Sequence, residues 1–167
     1  MAIFSAFNII RGLALFHLTL AYVFLTNPAT VADQNVVFLF GEAMKLAIST
    51  FVKPNSATAF IAVLMAFLGL TDLTSACMDE EVAYPYWRNQ TPIRLLFLFS
   101  LTAYTYAFAP SGTFRGSVGD TLKNRVVFTF GFFEVVMWFW VFITLRDERR
   151  QAAERLLERR RAEAEHL

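Results

Sequence analysis

The chain has 167 residues, of which 56% are hydrophobic and only 17% are charged, and it contains 19 phenylalanines. A soluble domain of this length would need one oversized core to bury that apolar surface, so the composition favours a lipid bilayer as the solvent. The net charge of +1 does not by itself point to an acidic partner, and the single cysteine, Cys77, excludes an intramolecular disulfide framework.

The first predicted element is a membrane span over residues 3–25, an apolar run interrupted by Asn8, Arg11 and His17. At that depth Arg11 either snorkels to the lipid headgroups or finds an acidic partner. We expect His17 to make a buried hydrogen bond, because one histidine without a neighbouring His or Cys makes a poor metal site.

An amphipathic helix is predicted next, over residues 31–51, after a break at Asn27 and Pro28. Polar residues recur along one face of this segment, and apolar residues fill the other at helical spacing. Glu42 and Lys45 interrupt the apolar run too early for a full span. The pattern therefore predicts a helix that either lies at the membrane interface or enters the bilayer and returns.

The second predicted span covers residues 57–78 and contains one charged residue, Asp72, among small and polar side chains. Such side chains favour close contact with other helices, so Asp72 should face inward. An acidic and aromatic loop is predicted over residues 79–90, followed by a third span over residues 92–109. Arg94 would lie in the first turn of that span, where it can reach the headgroups.

The fourth predicted span, residues 126–145, is about 30 Å long and has Glu134 near its middle. It runs into an arginine-rich tail, residues 146–167, whose mixed charges favour a continued helix in water. This tail is either a solvated, stabilising helix or a contact for lipid or ribosomal RNA phosphates. The arginines proposed for phosphate contact are Arg155, Arg159, Arg160 and Arg161.

Together these elements predict an all-α membrane protein with four transmembrane helices, an interfacial or re-entrant helix between the first two, and a charged C-terminal extension. Residues 1–145 form the membrane domain, and residues 146–167 form the extension. An even number of spans places both termini on one side, and that side collects most of the arginines. The excess of positive charge on cytosolic segments then predicts that both termini are cytosolic.

Counting residues along each span compares the depths of the buried charges. Arg11 and Asp72 fall at similar depths from the cytosolic side, and His17 and Glu134 both fall near the bilayer midplane. Two intramembrane polar pairs are therefore predicted, Arg11 with Asp72 and His17 with Glu134. Pairing offsets part of the cost of burial, so a structural role is sufficient to explain these residues.

No nucleophile motif, paired-histidine box or glycine-rich phosphate loop occurs in the sequence, which predicts neither catalytic residues, nor a metal site, nor a cofactor. A transporter usually has broken helices or a chain of ionisable groups, and the predicted spans contain few. Two alternatives stay open beside a structural role: a lipid-binding or sterol-binding bundle around Glu134 and Trp138, and a small transporter that uses Glu134 and Asp72.

Three segments of the sequence carry a family resemblance: NPATVADQNVVFLFGEAM at 27–44, ATAFIAVLMAFLGLTDLTSA at 57–76, and the stretch at 87–94 that contains QTPIR. They resemble the fungal family named increased loss of mitochondrial DNA protein 1. The resemblance implies a multi-pass protein of the endoplasmic reticulum membrane, with no catalytic residues to transfer. No DNA-binding module accompanies it, and DNA is not an expected partner.

We therefore predict a small, non-catalytic accessory subunit of a larger endoplasmic reticulum membrane complex, active in protein or lipid biogenesis. The expected partners are the lipid bilayer and other membrane subunits. The C-terminal helix would dock to a partner, the ribosome or anionic lipid.

Overall fold

The computed structural model describes residues 5–48, 51, 53–107 and 118–165, and its regular elements are all helical. There are six α-helices in this described part: α1 Ala6–Thr26, α2 Ala29–Ala32, α3 Asn35–Ala43, α4 Ser56–Ala76, α5 Glu80–Ala107 and α6 Arg125–Glu165. A short 3-10 helix, Val118–Leu122, precedes α6. The helices pack chiefly as two pairs, α1 with α4 and α5 with α6, and α1 also contacts α6.

Three helical segments of the described chain are long and apolar enough to cross a membrane: α1, α4 and residues 125–151 of α6. The predicted third span, residues 92–109, lies mostly within α5, which is not among them. The N-terminal half of α5 carries acidic and amide side chains that lower its mean hydropathy. Length and composition alone thus support a helical membrane protein with three spans, and the fourth span remains a proposal.

The N-terminus of α4 is stabilised by a capping box. The backbone N–H of Asn55 donates to the Thr58 hydroxyl, and the backbone N–H of Thr58 donates to Asn55 Oδ1.

Helices α1 and α4 approach each other closely at one glycine further along α4. A Cβ atom added to Gly69 would lie 2.8 Å from the carbonyl oxygen of Ala14 on α1. A small residue is needed there because the two backbones approach so closely.

Helix α5 begins twelve residues before the predicted third span, at Glu80, so the predicted loop at 79–90 was wrong. The helix continues through Pro85 and Pro92, although each proline removes a backbone donor. Packing explains the continuation, because Trp87 is completely buried and the Tyr84 hydroxyl donates to the carbonyl of Leu145 on α6 at 2.8 Å. Tertiary contacts here override the local preference for a loop.

The single amphipathic helix predicted over 31–51 was also wrong, since the segment forms the end of α2 and the separate helix α3. Helix α3 ends where Lys45 adopts a left-handed backbone with φ of 53°. The chain then turns towards α6, where the backbone N–H of Arg125 donates to the carbonyl of Ala47 at 3.1 Å. Positions 49 and 50 of the predicted helix lie outside the described residues.

Helix α6 has 41 residues and a length of about 60 Å, roughly twice what a bilayer core requires. Its apolar first half packs on α1 and α5, and the charged remainder continues as the same helix to Glu165. In that remainder, the Arg150 Nε donates to Glu154 Oε1 at 3.1 Å, an i,i+4 pair of the kind that supports an exposed helix.

Candidate functional site

The structure brings His17 and Glu134 together in the interior. His17 Nε2 and Glu134 Oε1 share a hydrogen bond of 3.0 Å between α1 and α6. The other carboxylate oxygen, Oε2, accepts a hydrogen bond from Trp138 Nε1 at 2.9 Å, one turn further along α6. Both oxygens of Glu134 are therefore engaged, as a buried carboxylate requires.

These groups are sealed from lipid and water. His17 is 0% exposed and Glu134 is 2% exposed. The rings of Phe16 and Phe133 lie 4.9 Å apart beside them, and Phe130 lies 6.2 Å from the imidazole. His17 Nδ1 has no hydrogen-bond partner among the described residues. The arrangement joins α1 to α6 through two buried side chains.

The second predicted pair, Arg11 with Asp72, was wrong. Asp72 on α4 is instead held by Arg94 of α5, whose two terminal nitrogens each donate to one carboxylate oxygen at 2.6 Å. This bidentate geometry satisfies both oxygens of Asp72, which is 1% exposed. Arg94, and not Arg11, is therefore the partner of the Asp72 carboxylate.

Arg11 lies near the same end of α4 and has a different role. Its guanidinium donates to the carbonyl of Ala76 at 3.0 Å and to Asn8 Oδ1 at 3.1 Å. Ala76 is the last residue of α4, where carbonyl groups lack partners within the helix. Arg11 is therefore a C-terminal cap supplied by the neighbouring helix α1.

Two tryptophans connect the two polar pairs. The rings of Trp87 and Trp138 stack with centroids 5.5 Å apart. The Arg94 guanidinium lies 4.6 Å from the Trp138 ring and 5.3 Å from the Trp87 ring. A continuous network consequently joins α1, α4, α5 and α6; we call it the buried network. Its members are His17, Asp72, Trp87, Arg94, Glu134 and Trp138.

Sequence reasoning missed Arg94 because it placed the start of the helix near residue 92. With α5 beginning at Glu80, Arg94 lies about four turns inside the helix. The spacing of Trp87 and Arg94, seven residues apart, would have placed them on one helix face and could have indicated their joint role.

The other predicted site residues have no described contacts. Arg155, Arg159, Arg160 and Arg161 lie on α6, and their side chains are outside what the structure describes. Among the described residues there is no group of three or more His, Cys, Asp or Glu side chains that could hold a metal ion.

An apolar groove of about 570 Å³ opens beside the buried network, between α1, α3, α4 and α6. Its walls are almost entirely hydrocarbon and aromatic, with Phe24, Met65 and Phe130 among the lining side chains. One polar atom on this wall, Thr129 Oγ1, is buried and has no partner within the described part of the chain.

Comparison with known proteins decides the family. A sequence model described as "Increased loss of mitochondrial DNA protein 1" matches residues 4–155. The chain belongs to this family. Members of the increased loss of mitochondrial DNA protein 1 family that resemble it include Protein ilm1 of Schizosaccharomyces pombe, 28% identical over 166 residues that cover 93% of this chain and 96% of the relative.

A second relative is Protein ILM1 of Saccharomyces cerevisiae, which is 25% identical over 141 residues, 84% of this chain and 64% of that protein. No solved structure matches the chain. The family match covers all the members of the buried network but carries no assignment of a reaction or a ligand.

Proposed function

We propose that this protein is a non-catalytic accessory subunit of a larger endoplasmic reticulum membrane complex, in protein or lipid biogenesis. The observation that carries the proposal is that Asp72 and Glu134, the acids of α4 and of the apolar half of α6, are both bound by side chains of other helices. An acid in a transport path must be able to exchange its bonding partner. An acid that holds two helices together must instead keep the same partner.

We further propose that α5 is the fourth span, which brings both chain termini to the cytosol. Its C-terminal half exposes large apolar side chains, among them Ile93, Leu96, Phe97 and Phe99, each 64% exposed or more. Contact of this apolar surface with lipid carries no free-energy penalty, whereas its exposure to water is unfavourable. The concentration of arginine after residue 145 supports the cytosolic side for the C-terminus.

The cytosolic part of α6 would then dock to a partner subunit, to the ribosome or to anionic lipid. Arg155, Arg159, Arg160 and Arg161 are the residues proposed for this contact, because guanidinium groups match phosphate and carboxylate geometry. DNA is not a proposed partner.

Mild-detergent purification from membranes followed by native mass spectrometry tests the subunit proposal. We expect a complex in which other membrane proteins accompany the chain in fixed stoichiometry. Neutralising Arg159, Arg160 and Arg161 together should weaken that complex, or co-sedimentation with ribosomes, at low salt. A chain that purifies alone at every detergent concentration would contradict the subunit role.

A second candidate is a bundle that binds a lipid or sterol. The apolar groove favours it, together with the Thr129 hydroxyl, which has no hydrogen-bond partner among the described residues. A volume of about 570 Å³ lies within the range of pockets that enclose small ligands. Lipid retained by the purified chain and lost in Thr129→Val, with Thr144→Val as control, would favour this candidate. The small-transporter alternative is weaker, because it requires Glu134 or Asp72 to be released from its present partners.

A further inference from the structure

A second, smaller pocket lies between α5 and α6, at the end of the membrane segment opposite the apolar groove. Its volume is about 260 Å³, too small for a whole lipid but sufficient for a headgroup. Three guanidinium groups line it, Arg88 from α5 and Arg146 and Arg149 from α6. We call it the arginine pocket.

These three arginines make no ion pair with an acid in the part of the chain that the structure describes. No ion pair joins Arg88, Arg146 or Arg149 to a carboxylate among the described residues, although α6 carries acids beside them. The nearby acid Glu148 is directed elsewhere, since its Oε1 accepts a hydrogen bond from the backbone N–H of Ala6 at 3.0 Å. The pocket thus has an excess of positive charge that no ion pair of the described residues neutralises.

The phenol of Tyr84 lies in the same pocket. Burial raises the pKa of Tyr84, and Glu148 also raises it, whereas the positive charges of Arg149 and Arg88 lower it. The hydroxyl donates to the carbonyl of Leu145, so its oxygen remains able to accept a bond but not to donate a second one. Tyr84 therefore fixes α5 against α6 at the pocket floor.

The depth of the pocket corresponds to the headgroup layer. Leu145 ends the apolar run of α6 and Arg146 is the first charged residue after it. Phe142 and Leu145 form the apolar part of the lining, and along α6 they lie on the membrane side of Arg146 and Arg149. A molecule that fills the pocket would thus present negative charge towards the arginines and hydrocarbon towards the bilayer.

We propose that the arginine pocket binds the phosphate of an anionic glycerophospholipid with a phosphomonoester headgroup, such as phosphatidic acid. Guanidinium groups form paired hydrogen bonds with phosphate oxygens, and a phosphomonoester carries close to two negative charges at neutral pH. Three arginines from two helices match that charge better than they match a zwitterionic headgroup. The site is distinct from the tail arginines beyond residue 150 and does not depend on the accessory-subunit role.

The full-length chain in mild detergent provides the test, by native mass spectrometry with added phosphatidic acid and with phosphatidylcholine as the neutral reference. We expect selective retention of phosphatidic acid, and a loss of affinity of about tenfold or more in the double variant Arg88→Gln, Arg149→Gln. The matched control is Lys53→Gln, Arg150→Gln, which removes the same charge at exposed positions outside the pocket. It should change the affinity by less than about twofold.

Two further measurements test whether the bound phosphate belongs to a lipid and whether the variants still fold. Inorganic phosphate at the same concentration should not displace the lipid, since it cannot contact Phe142 and Leu145. Both double variants should retain the helical circular dichroism and the thermal transition of the parent chain. Equal retention of phosphatidylcholine, equal loss in the control pair, or displacement by inorganic phosphate would each overturn the proposal.

Discussion

At the residue scale, Glu134 shows how a carboxylate is accommodated within an apolar helix. Its two oxygens bond to His17 on another helix and to Trp138 on its own helix. A buried polar group without a partner costs more free energy than the hydrogen bond itself contributes. Replacing only one member of the His17–Glu134 pair should therefore lower the free energy of unfolding more than replacing both.

We predict that Glu134→Leu lowers the free energy of unfolding by about 1–3 kcal/mol, because it leaves His17 Nε2 and Trp138 Nε1 without an acceptor. The double variant with His17→Leu should recover part of that loss. Glu134→Gln, which keeps a side-chain carbonyl, is the conservative control. Thermal unfolding in detergent provides the comparison, and equal losses in the single and double variants would argue against an energetic coupling.

Arg94 and Arg11 give a matched pair of arginines, of which only one holds a buried acid. Arg94→Lys should destabilise the protein by about 1–3 kcal/mol, since lysine cannot reproduce two parallel bonds to Asp72 or the contact with the tryptophan rings. Arg11→Lys should cost less than about 1 kcal/mol, because it changes only an exposed cap on α4. A larger loss for Arg11→Lys in chemical unfolding would reverse this assignment.

At the element scale, the helices are held by close backbone approach as well as by polar contacts. Gly69 lies against α1, whereas Gly12, on α1 itself, has open space where a Cβ would be. Chain flexibility is the same for both residues in the unfolded state, so their comparison isolates packing.

Gly69→Ala should lower the free energy of unfolding by about 1–3 kcal/mol, because the new methyl group meets the Ala14 carbonyl and the Leu18 side chain. Gly12→Ala should be neutral or stabilise by up to about 1 kcal/mol, since alanine is the better helix former. Denaturant titrations of the two variants, followed by circular dichroism, measure the difference. If both variants behaved alike, close α1–α4 packing at Gly69 would be refuted.

At the scale of the whole molecule, the topology depends on α5. If α5 crosses the bilayer, the segment at 110–117 is lumenal and the C-terminus is cytosolic. If only α1, α4 and α6 cross, the same segment is cytosolic and the C-terminus is lumenal. A reporter at 110–117 and a reporter at the C-terminus would therefore each lie on one side of the membrane in the first arrangement and on the other side in the second.

We predict that an N-glycosylation acceptor inserted within residues 110–117, on a spacer, is modified, and that one appended to the C-terminus is not. An acceptor inserted between α3 and α4 serves as the positive control, because it is lumenal in both arrangements when the N-terminus is cytosolic. Modification at the C-terminus without modification at 110–117 would establish three spans and contradict the four-span proposal.

The sequence by itself determined that long segments of the chain are suited to lipid rather than water, and it determined the position of most of the helices. Long apolar runs predicted α1, α4 and the first half of α6, because a helix of about 20 apolar residues spans the hydrocarbon core whatever it packs against. It also indicated that His17 and Glu134 lie at one depth, since depth follows from counting residues along two helices.

Only the tertiary structure decided the partner of Asp72, the early start of α5 and the division of the segment after α1. Arg94 could not be assigned from the sequence, because its depth depends on where α5 begins, and that start is stabilised by the contacts of Tyr84 and Trp87 with α6. Likewise, Arg11 and Asp72 share a depth, but depth does not say which way each side chain points around its helix axis. Neighbouring helices supply that angular information, and a single sequence does not contain it.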